Sequence, residues 1–592
     1  MSERTIYQVL RDSVEKHGPR PALGYKRGKG YEYFTYSQVW DRVRGFRRGL
    51  AALGLKKGDR IALLSENRCE WAITDLAAQS LGVVTVAIYP TLPTQQVQFL
   101  VADSAARILI VSDKKQLAKA HDIHPSVRTL EYVVAMEGPV PDGVMTFGQV
   151  TERGIETRIS DADLDALAET ITPDDIATLI YTSGTTGDPK GAMLSHRALL
   201  HTGHAARQIV RLDENDVFLS FLPLCHIIER VGGHYLPLSI GALIVYSEGV
   251  FAIGQELVSV RPTVFLCVPR LYENMQEKIA DSMAKRPEKE RKTVEWAVAV
   301  GRECVERRRA GRGIGPILSA KRLIADRLVL HKIREKTVGG RTRFLVTGGA
   351  PLAAETGAFF EALGVRILEG YGLTEIPVIC LNRPENPVLG TVGPPLPEME
   401  VMIAADGEIL ARGPSLMRGY FGKPEATAEA IDSEGWFHTG DIGELSPAGI
   451  LRITDRKKDI IVLANGKNVA PQPIEAALKQ SPYVAEIVLI GDKQNAIVAI
   501  VVPAFDRLKA WAKQRELPLD PAELIKHAET RKLIKDELDQ YSAGLADFEK
   551  VKRFTLIDSP FSIEGGELTP TLKVKRKFIA QKYAHLIEQL VK

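Results

Sequence analysis

The sequence predicts an α/β fold: a large N-terminal domain of layered α/β subdomains with a small antiparallel part, then a small α+β C-terminal domain. Three observations carry this expectation. Short apolar runs such as RIALLSEN, VVTVAIYP and ARILIVSD alternate with amphipathic stretches such as YSQVWDRVRGFRRGLAALG. Strands that read as continuous apolar runs are buried on both faces, which is the habit of parallel sheets covered by helices. Near residue 400 the texture changes to short runs punctuated by Gly, Asp and Pro, as in VMIAADGEILARGPSLMRGY and GWFHTGDIGELSPAGILRIT, an antiparallel signature. The length of 592 residues also exceeds what one core holds; at roughly 150 residues per domain, two to four units are expected.

In chain order, EYVVAME closes the first set of strands, and IATLIYTS, FLSFLPL, ALIVYS and PTVFLCVP form the next. RFLVTGGAPL and VRILEGYG follow a helical segment at about 281–343. The charged run Asp455-Arg456-Lys457-Lys458-Asp459 is the expected domain boundary, giving units 1–455 and 456–592. In the second unit EIVLIGD and AIVAIVVP read as strands, AELIKHAETRKLIKDELDQYSAG as one helix, and FIAQKYAHLIEQLVK as a closing amphipathic helix.

Composition narrows the class. The chain is 45% hydrophobic and 26% charged, ordinary for a globular protein. No window reaches the ~20 apolar residues of a spanning helix, and the charged start MSERTIYQVLRDSVEKHG has no apolar signal core. The five cysteines (Cys69, Cys225, Cys267, Cys304, Cys380) are scattered without CxxC spacing, which fits a reducing cytoplasm and not a disulfide or zinc framework. The formal net charge of +3 is unevenly placed: residues 281–343 hold 18 Lys and Arg against 8 Asp and Glu, so the remainder is net acidic. Such a segment suits an anionic lipid surface at the inner face of a membrane, or a polyanionic ligand. It has no interleaved aromatics and no reader motif, which argues against nucleic acid.

The stretch YTSGTTGDPKG, residues 181–191, follows the strand IATLIY and concentrates hydroxyls, glycines and one lysine. A Walker loop needs GxxxxGK[ST]. Counted from Gly184, Pro189 stands where the second Gly belongs and Gly191 where Ser or Thr belongs. Pro189 also removes a backbone donor. What remains is a polyphosphate-binding loop of another kind: Thr182, Ser183, Gly184, Thr185, Thr186, Gly187 and Lys190. The sequence AMLS continues as strand, and a helix starts after the N-cap Ser195.

YTSGTTGDPKG closely resembles the phosphate loop of the adenylate-forming superfamily, and further motifs stand in that family's order: LPLCHIIER, TGGAPL, GYGLTE, GWFHTGDIG, DRKKDIIVLANGKNVAP and LTPTLKVKRK. The resemblance spans roughly residues 20 to 590. It implies that Tyr371, flanked by Gly370 and Gly372, stacks on adenine, with Thr347, Gly348 and Gly349 walling the other side. It implies that Thr374 donates to the α-phosphate and that Glu375 and Thr185 hold Mg²⁺. Asp441 would accept the ribose hydroxyls beside Arg456. His226 would stand at the mouth of an acyl tunnel, with room left by Gly232 and Gly233. Lys573 would bridge the acyl carboxylate and the α-phosphate, here in TLK where SGK is common. Lys458 would be the hinge of a rotating C-terminal domain. The substrates implied are ATP, coenzyme A and a carboxylic acid.

The VLANGKNVAP wording, the TLKVKRK tail and the basic insertion most resemble long-chain fatty acyl-CoA synthetases. Alternatives are an acyl–acyl carrier protein synthetase, a medium- or very-long-chain ligase, and a non-catalytic nucleotide- or lipid-binding homologue. The sequence leaves the oligomeric state open, a homodimer among the options.

Overall fold

The computed structural model describes residues 3–182, 188–465, 467–562, 565–569 and 574–591. Two eight-stranded sheets dominate it. In the first, the strands Arg366–Tyr371, Phe344–Thr347, Val264–Cys267, Val217–Ser220, Leu243–Tyr246 and Pro21–Arg27 lie side by side in parallel, with Gly30–Thr35 antiparallel at one edge and Cys380–Leu381 at the other. In the second, Ile176–Thr182, Val84–Ile88, Arg60–Leu64, Ile108–Val111, Tyr132–Ala135 and Val144–Thr146 run in parallel. Lys190–Ser195 and the short Gly419–Tyr420 extend that sheet antiparallel.

Each apolar run of the sequence became one of these strands because both faces are covered: Ile108–Val111 and Val84–Ile88 are buried along their whole length. The helix Cys69–Gln79 is buried at all but one of its eleven residues and contributes Trp71 to a core that reaches strands of both sheets. A helix apolar on every side belongs inside a fold. It also carries Asp75, at zero exposure, into that core.

Asp75 is answered from across the core. Arg230, equally buried, pairs with it, donates to Thr178 Oγ1 at 2.7 Å and to the Tyr235 hydroxyl at 2.9 Å, and lies against the Trp71 ring. The Tyr235 hydroxyl in turn donates to Asp75 Oδ2 at 2.6 Å. Arg230 and Tyr235 sit on a π-helical turn, Glu229–Tyr235, that leads into Leu236–Ile240. Wider helical turns of this type cluster where side chains must be re-aimed.

Past residue 400 the antiparallel expectation holds: Glu400–Ile403, Glu408–Arg412, Phe437–Leu445 and Leu451–Arg456 form a four-stranded sheet. The C-terminal unit has a three-stranded sheet, Val484–Ile490, Val498–Pro503 and Arg553–Leu556, preceded by the hairpin Ile461–Val462 with Asn468–Val469. Two expected single helices are broken. The first is split into Pro521–Leu524 and Ala528–Tyr541, because the His527 side chain caps the second piece through the Glu529 amide. The last is split at Tyr583 into Arg576–Lys582 and Ala584–Val591. The basic segment is helical as expected, from Glu288–Arg309 through Pro316–Ala325, the π-helical Asp326–Leu330 and His331–Val338. All five cysteines are free and buried.

Asp75→Ala would strand Arg230 as an uncompensated buried cation, which costs about 3–5 kcal/mol. The midpoint of chemical denaturation is expected to fall markedly, and an unchanged midpoint would show that the pair is not structural.

Candidate active site

The site assembles where the strand ends of the first sheet meet the hairpin of the second and the antiparallel sheet. The strand Ile176–Thr182 returns as Lys190–Ser195, with Thr182 opposite Lys190 and Tyr181 opposite Gly191. Gly191 is needed there: a Cβ would stand 3.1 Å from the Tyr181 ring, whose hydroxyl donates to Asp103 Oδ2 at 2.6 Å. Ser195 caps the following helix His196–Ile209 by accepting from the Ala198 amide. The loop residues Ser183, Gly184, Thr185, Thr186 and Gly187 lie outside the described residues, as does Lys573.

The GYGLTE segment leaves the strand Arg366–Tyr371 and turns at once. Leu373 N donates to Ile376 O at 3.0 Å and Ile376 N to Leu373 O at 3.3 Å, which puts Thr374 and Glu375 at the tip of a closed turn. Gly372 permits it, since a Cβ would collide with the Pro377 carbonyl. Glu375 is buried, and burial raises its pKa while the Tyr420 phenol, donating to Oε1 at 2.8 Å, opposes the rise. The Lys190 ammonium stands 5.1 Å from the centre of the Tyr420 ring. Lysine, tyrosine and carboxylate thus form a relay from the phosphate-loop hairpin to Glu375. Tyr420 was not singled out by sequence reasoning; it only closes the stretch VMIAADGEILARGPSLMRGY, outside the family motifs.

On the other side, Asp441 and Arg456 face each other on adjacent antiparallel strands, with Arg456 Nε 2.8 Å from Asp441 Oδ1. The Tyr371 hydroxyl donates to Asp441 Oδ2 at 2.6 Å. The three residues chosen separately for adenine and ribose are therefore one cluster. Each carboxylate oxygen takes one protein donor and keeps lone-pair capacity for a second, as a vicinal diol requires. Gly348 and Gly349 follow the neighbouring strand Phe344–Thr347. Gly349 has φ +80°, and a Cβ on Gly348 would lie 3.1 Å from the Gly370 carbonyl and 3.3 Å from Ile228. That bare backbone lets the Gly370 carbonyl and Ile228 come close to the end of Phe344–Thr347.

His226 is half-buried in the turn before the π-helical segment, its backbone N–H bonded to Pro223 O at 2.8 Å. Its Nδ1 accepts from the Ile228 amide at 3.3 Å, so Nε2 carries the proton. The glycines expected to leave room beside it do so for this chain's own side chains: a Cβ on Gly232 would lie 2.7 Å from Leu266 Cδ2, and one on Gly233 would collide with the Glu229 carboxyl. Lys458 lies exposed in the turn after Leu451–Arg456. Its neighbour Lys457 is anchored, 2.6 Å from Asp406 Oδ2 and 2.8 Å from Glu408 Oε2.

The donor set fits Mg²⁺ carried by a polyphosphate. Such an ion takes one or two carboxylates and draws its remaining ligands from phosphate and water, and Glu375 supplies a carboxylate within reach of the phosphate-loop hairpin. Among the described residues, no cluster of three or more His, Cys, Asp or Glu offers an all-protein metal cage.

Comparison with known proteins shows the family to which the chain belongs. The family model for the AMP-binding enzyme matches residues 10–421, and that for the AMP-binding enzyme C-terminal domain matches residues 458–592. A long-chain-fatty-acid–CoA ligase of Mycobacterium bovis is 35% identical over 94% of this chain and 92% of its own. Long-chain-fatty-acid–CoA ligase 6 of Homo sapiens is 34% identical over 99% of this chain and 86% of its own. Among solved structures, the anthranilate CoA ligase AuaEII with anthranoyl-AMP superposes with a TM-score of 0.74 at 20% identity, covering 100% of this chain and 99% of its own. ATP-bound MatB from Rhodopseudomonas palustris gives 0.71 at 23%, covering 98% and 99%.

If the Tyr371 hydroxyl orients Asp441 for the ribose, Tyr371→Phe keeps the ring and loses a bond to a charged group, worth about 1.5–3 kcal/mol. ATP affinity, read by titration calorimetry, is expected to weaken about ten-fold or more; unchanged affinity would show that the bond orients nothing. By its family models and its relatives, the chain belongs to the AMP-binding enzyme family, the ATP-dependent adenylate-forming ligases.

Proposed function

We propose that this protein is an ATP-dependent long-chain fatty acid–CoA ligase that works through an acyl-adenylate. The observation that carries this reading is the joining of Tyr371, Asp441 and Arg456 into one cluster next to the strand that leads to Gly348 and Gly349, with Glu375 held one turn away. The near full-length relatives that bear the long-chain name support the substrate class.

In the first half-reaction a carboxylate oxygen attacks the α-phosphorus. A C–O–P bond forms, the bond to the β-phosphate oxygen breaks, and pyrophosphate leaves. In the second, a thiolate attacks the acyl carbonyl, a C–S bond forms and AMP departs. The detour through AMP is needed because a free carboxylate has no leaving group. Gly348, Gly349 and Tyr371 hold the base, Asp441 with Arg456 the ribose, and Thr374 the α-phosphate. The loop from Thr182 to Lys190 steadies the phosphates that leave. Glu375 and Thr185 would hold a Mg²⁺ ion, which would neutralise charge on those phosphates. Lys573 contributes a preorganised cation where negative charge grows, and donors of this kind are worth on the order of 10²–10³ in rate. His226 stands at the mouth of the acyl channel.

The unit from residue 456 onward rotates about Lys458, so that one face brings Lys573 for adenylation and another opens a thiol channel. Lys573→Ala is therefore expected to lose acyl-AMP formation while still thiolating supplied acyl-AMP. Equal loss of both steps would refute the division of labour. Supplying coenzyme A or acyl carrier protein to the same acyl-AMP identifies the acceptor, and coenzyme A is expected to win.

The basic segment fits an anionic membrane surface, where long-chain acids partition. Ile317, Ile324 and Leu328 are exposed, seven and then four residues apart along these helices, Ile317 at 76%, with Lys321, Arg327 and Lys332 exposed among them. An apolar stripe edged by cations is the pattern of a helix lying in the lipid interface. The protein is expected to co-sediment with vesicles of anionic lipid at low salt and to be released by salt. The triple variant Ile317→Ser, Ile324→Ser, Leu328→Ser should stay in solution with its activity toward micellar substrate intact. Equal sedimentation of both proteins would rule this surface out.

A further inference from the structure

The helix Cys69–Gln79 and the loop before it reach the segment 220–230 at two places, one on either side of His226. The deeper tie is Asp75 to Arg230. The other is made by Asn67, two residues before the helix and just past the carboxyl end of the strand Arg60–Leu64. Its amide nitrogen donates to Leu222 O at 2.7 Å and to Ser220 Oγ at 3.0 Å, and its oxygen accepts from the Leu224 amide at 2.8 Å. A carboxamide has two N–H donors and a carbonyl acceptor. Asn67 uses all of them on one short stretch that lies 153 to 157 residues away in the chain.

Asn67 thus straddles Pro223, whose carbonyl accepts from the His226 amide at 2.8 Å. On the other side His226 O accepts from the Arg230 amide at 3.0 Å, and the Ile228 amide holds the ring through Nδ1. His226 therefore sits on a turn whose incoming arm is held by Asn67 and whose outgoing arm is held by Arg230. The loop that carries Asn67 is braced in turn. Glu66 accepts from the Ser112 hydroxyl and the Gln116 amide, and Arg68 pairs with Glu70 and Glu137. The two ties differ in kind. Asp75 and Arg230 are charged and at zero exposure, so breaking that pair strands an ion. Asn67 is half-buried and uncharged; removing it strands no ion and frees the incoming arm of the His226 turn.

We propose that Asn67 is a positioning residue for the acid half of the reaction, holding the arm from Ser220 to Leu224 so that the His226 ring meets the incoming carboxylic acid at a fixed place. The inference rests on the reading that puts His226 at the mouth of the acyl channel. A misplacement of about 1 Å can cost on the order of 10²-fold in rate, so a modest slackening of this arm is measurable. The nucleotide cluster of Tyr371, Asp441 and Arg456 stands on other strands and should not feel it.

The test is acid-dependent exchange of labelled pyrophosphate into ATP, with KM measured separately for hexadecanoic acid and for ATP. It compares the wild type, Asn67→Ala, His226→Ala and the double variant. Asn67→Ala is expected to raise the KM for the acid about ten-fold while that for ATP stays within about two-fold. Because Asn67 acts through His226, adding Asn67→Ala to His226→Ala should change nothing further; residues that work as a unit are not additive. Asn67→Asp keeps the size of the side chain and the Leu224 bond but loses both donors. It is expected to raise the KM for the acid at an unchanged denaturation midpoint, which controls for folding. Equal rises for acid and ATP, effects that multiply in the double variant, or an unaltered acid KM in His226→Ala would each overturn the positioning role and leave the ligase reading standing. A wild type that exchanges pyrophosphate with no long-chain acid would fail the ligase reading and take this role with it.

Discussion

The buried ion pair of Asp75 and Arg230 is the constraint on which the rest depends. It ties the helix Cys69–Gln79 to the π-helical turn Glu229–Tyr235, and through Thr178 it reaches the second sheet. Two charges at zero exposure are tolerated because each guanidinium nitrogen and each carboxylate oxygen has a hydrogen-bond partner. Their exchange fixes the angle at which the π-helical turn leaves the core. The residues just before that turn include Ile228, which packs beside the Gly348 backbone.

A second consequence is a division between rigid and adjustable parts. The Gly348–Gly349 backbone, the Thr374–Glu375 turn and the Asp441–Arg456 pair are built on strand ends and closed turns, so their geometry exists before a ligand arrives. The residues proposed to move charge onto the phosphates, by contrast, come from a loop and from the far C-terminal unit. A preorganised nucleotide site combined with delivered cations is what an enzyme needs when one cavity must serve two successive reactions.

Much of this was legible in the sequence because the local chemistry was unambiguous. Ser195 was readable as a cap since a hydroxyl stood before a helical pattern and after a strand, and it caps in the structure. The antiparallel texture past residue 400 was readable from its Gly, Asp and Pro punctuation. Gly191, Gly348 and Gly372 stand inside the quoted motifs, and each meets a ring or carbonyl at short range. What escaped depends on long-range packing. Tyr420 reaches Glu375 from 45 residues away, and no local pattern announces that. The direct bond between Tyr371 and Asp441 spans 70 residues. The helix breaks at His527 and Tyr583 were hidden because the amphipathic period runs through them.

The central claim is that the acid is activated as an adenylate before any thiol takes part. The most direct measurement is incorporation of labelled pyrophosphate into ATP with a long-chain fatty acid present and coenzyme A absent. Rapid exchange that requires the acid and no thiol is the predicted result. No exchange under those conditions, with ATP split to ADP and phosphate once acid and coenzyme A are both supplied, would contradict the mechanism.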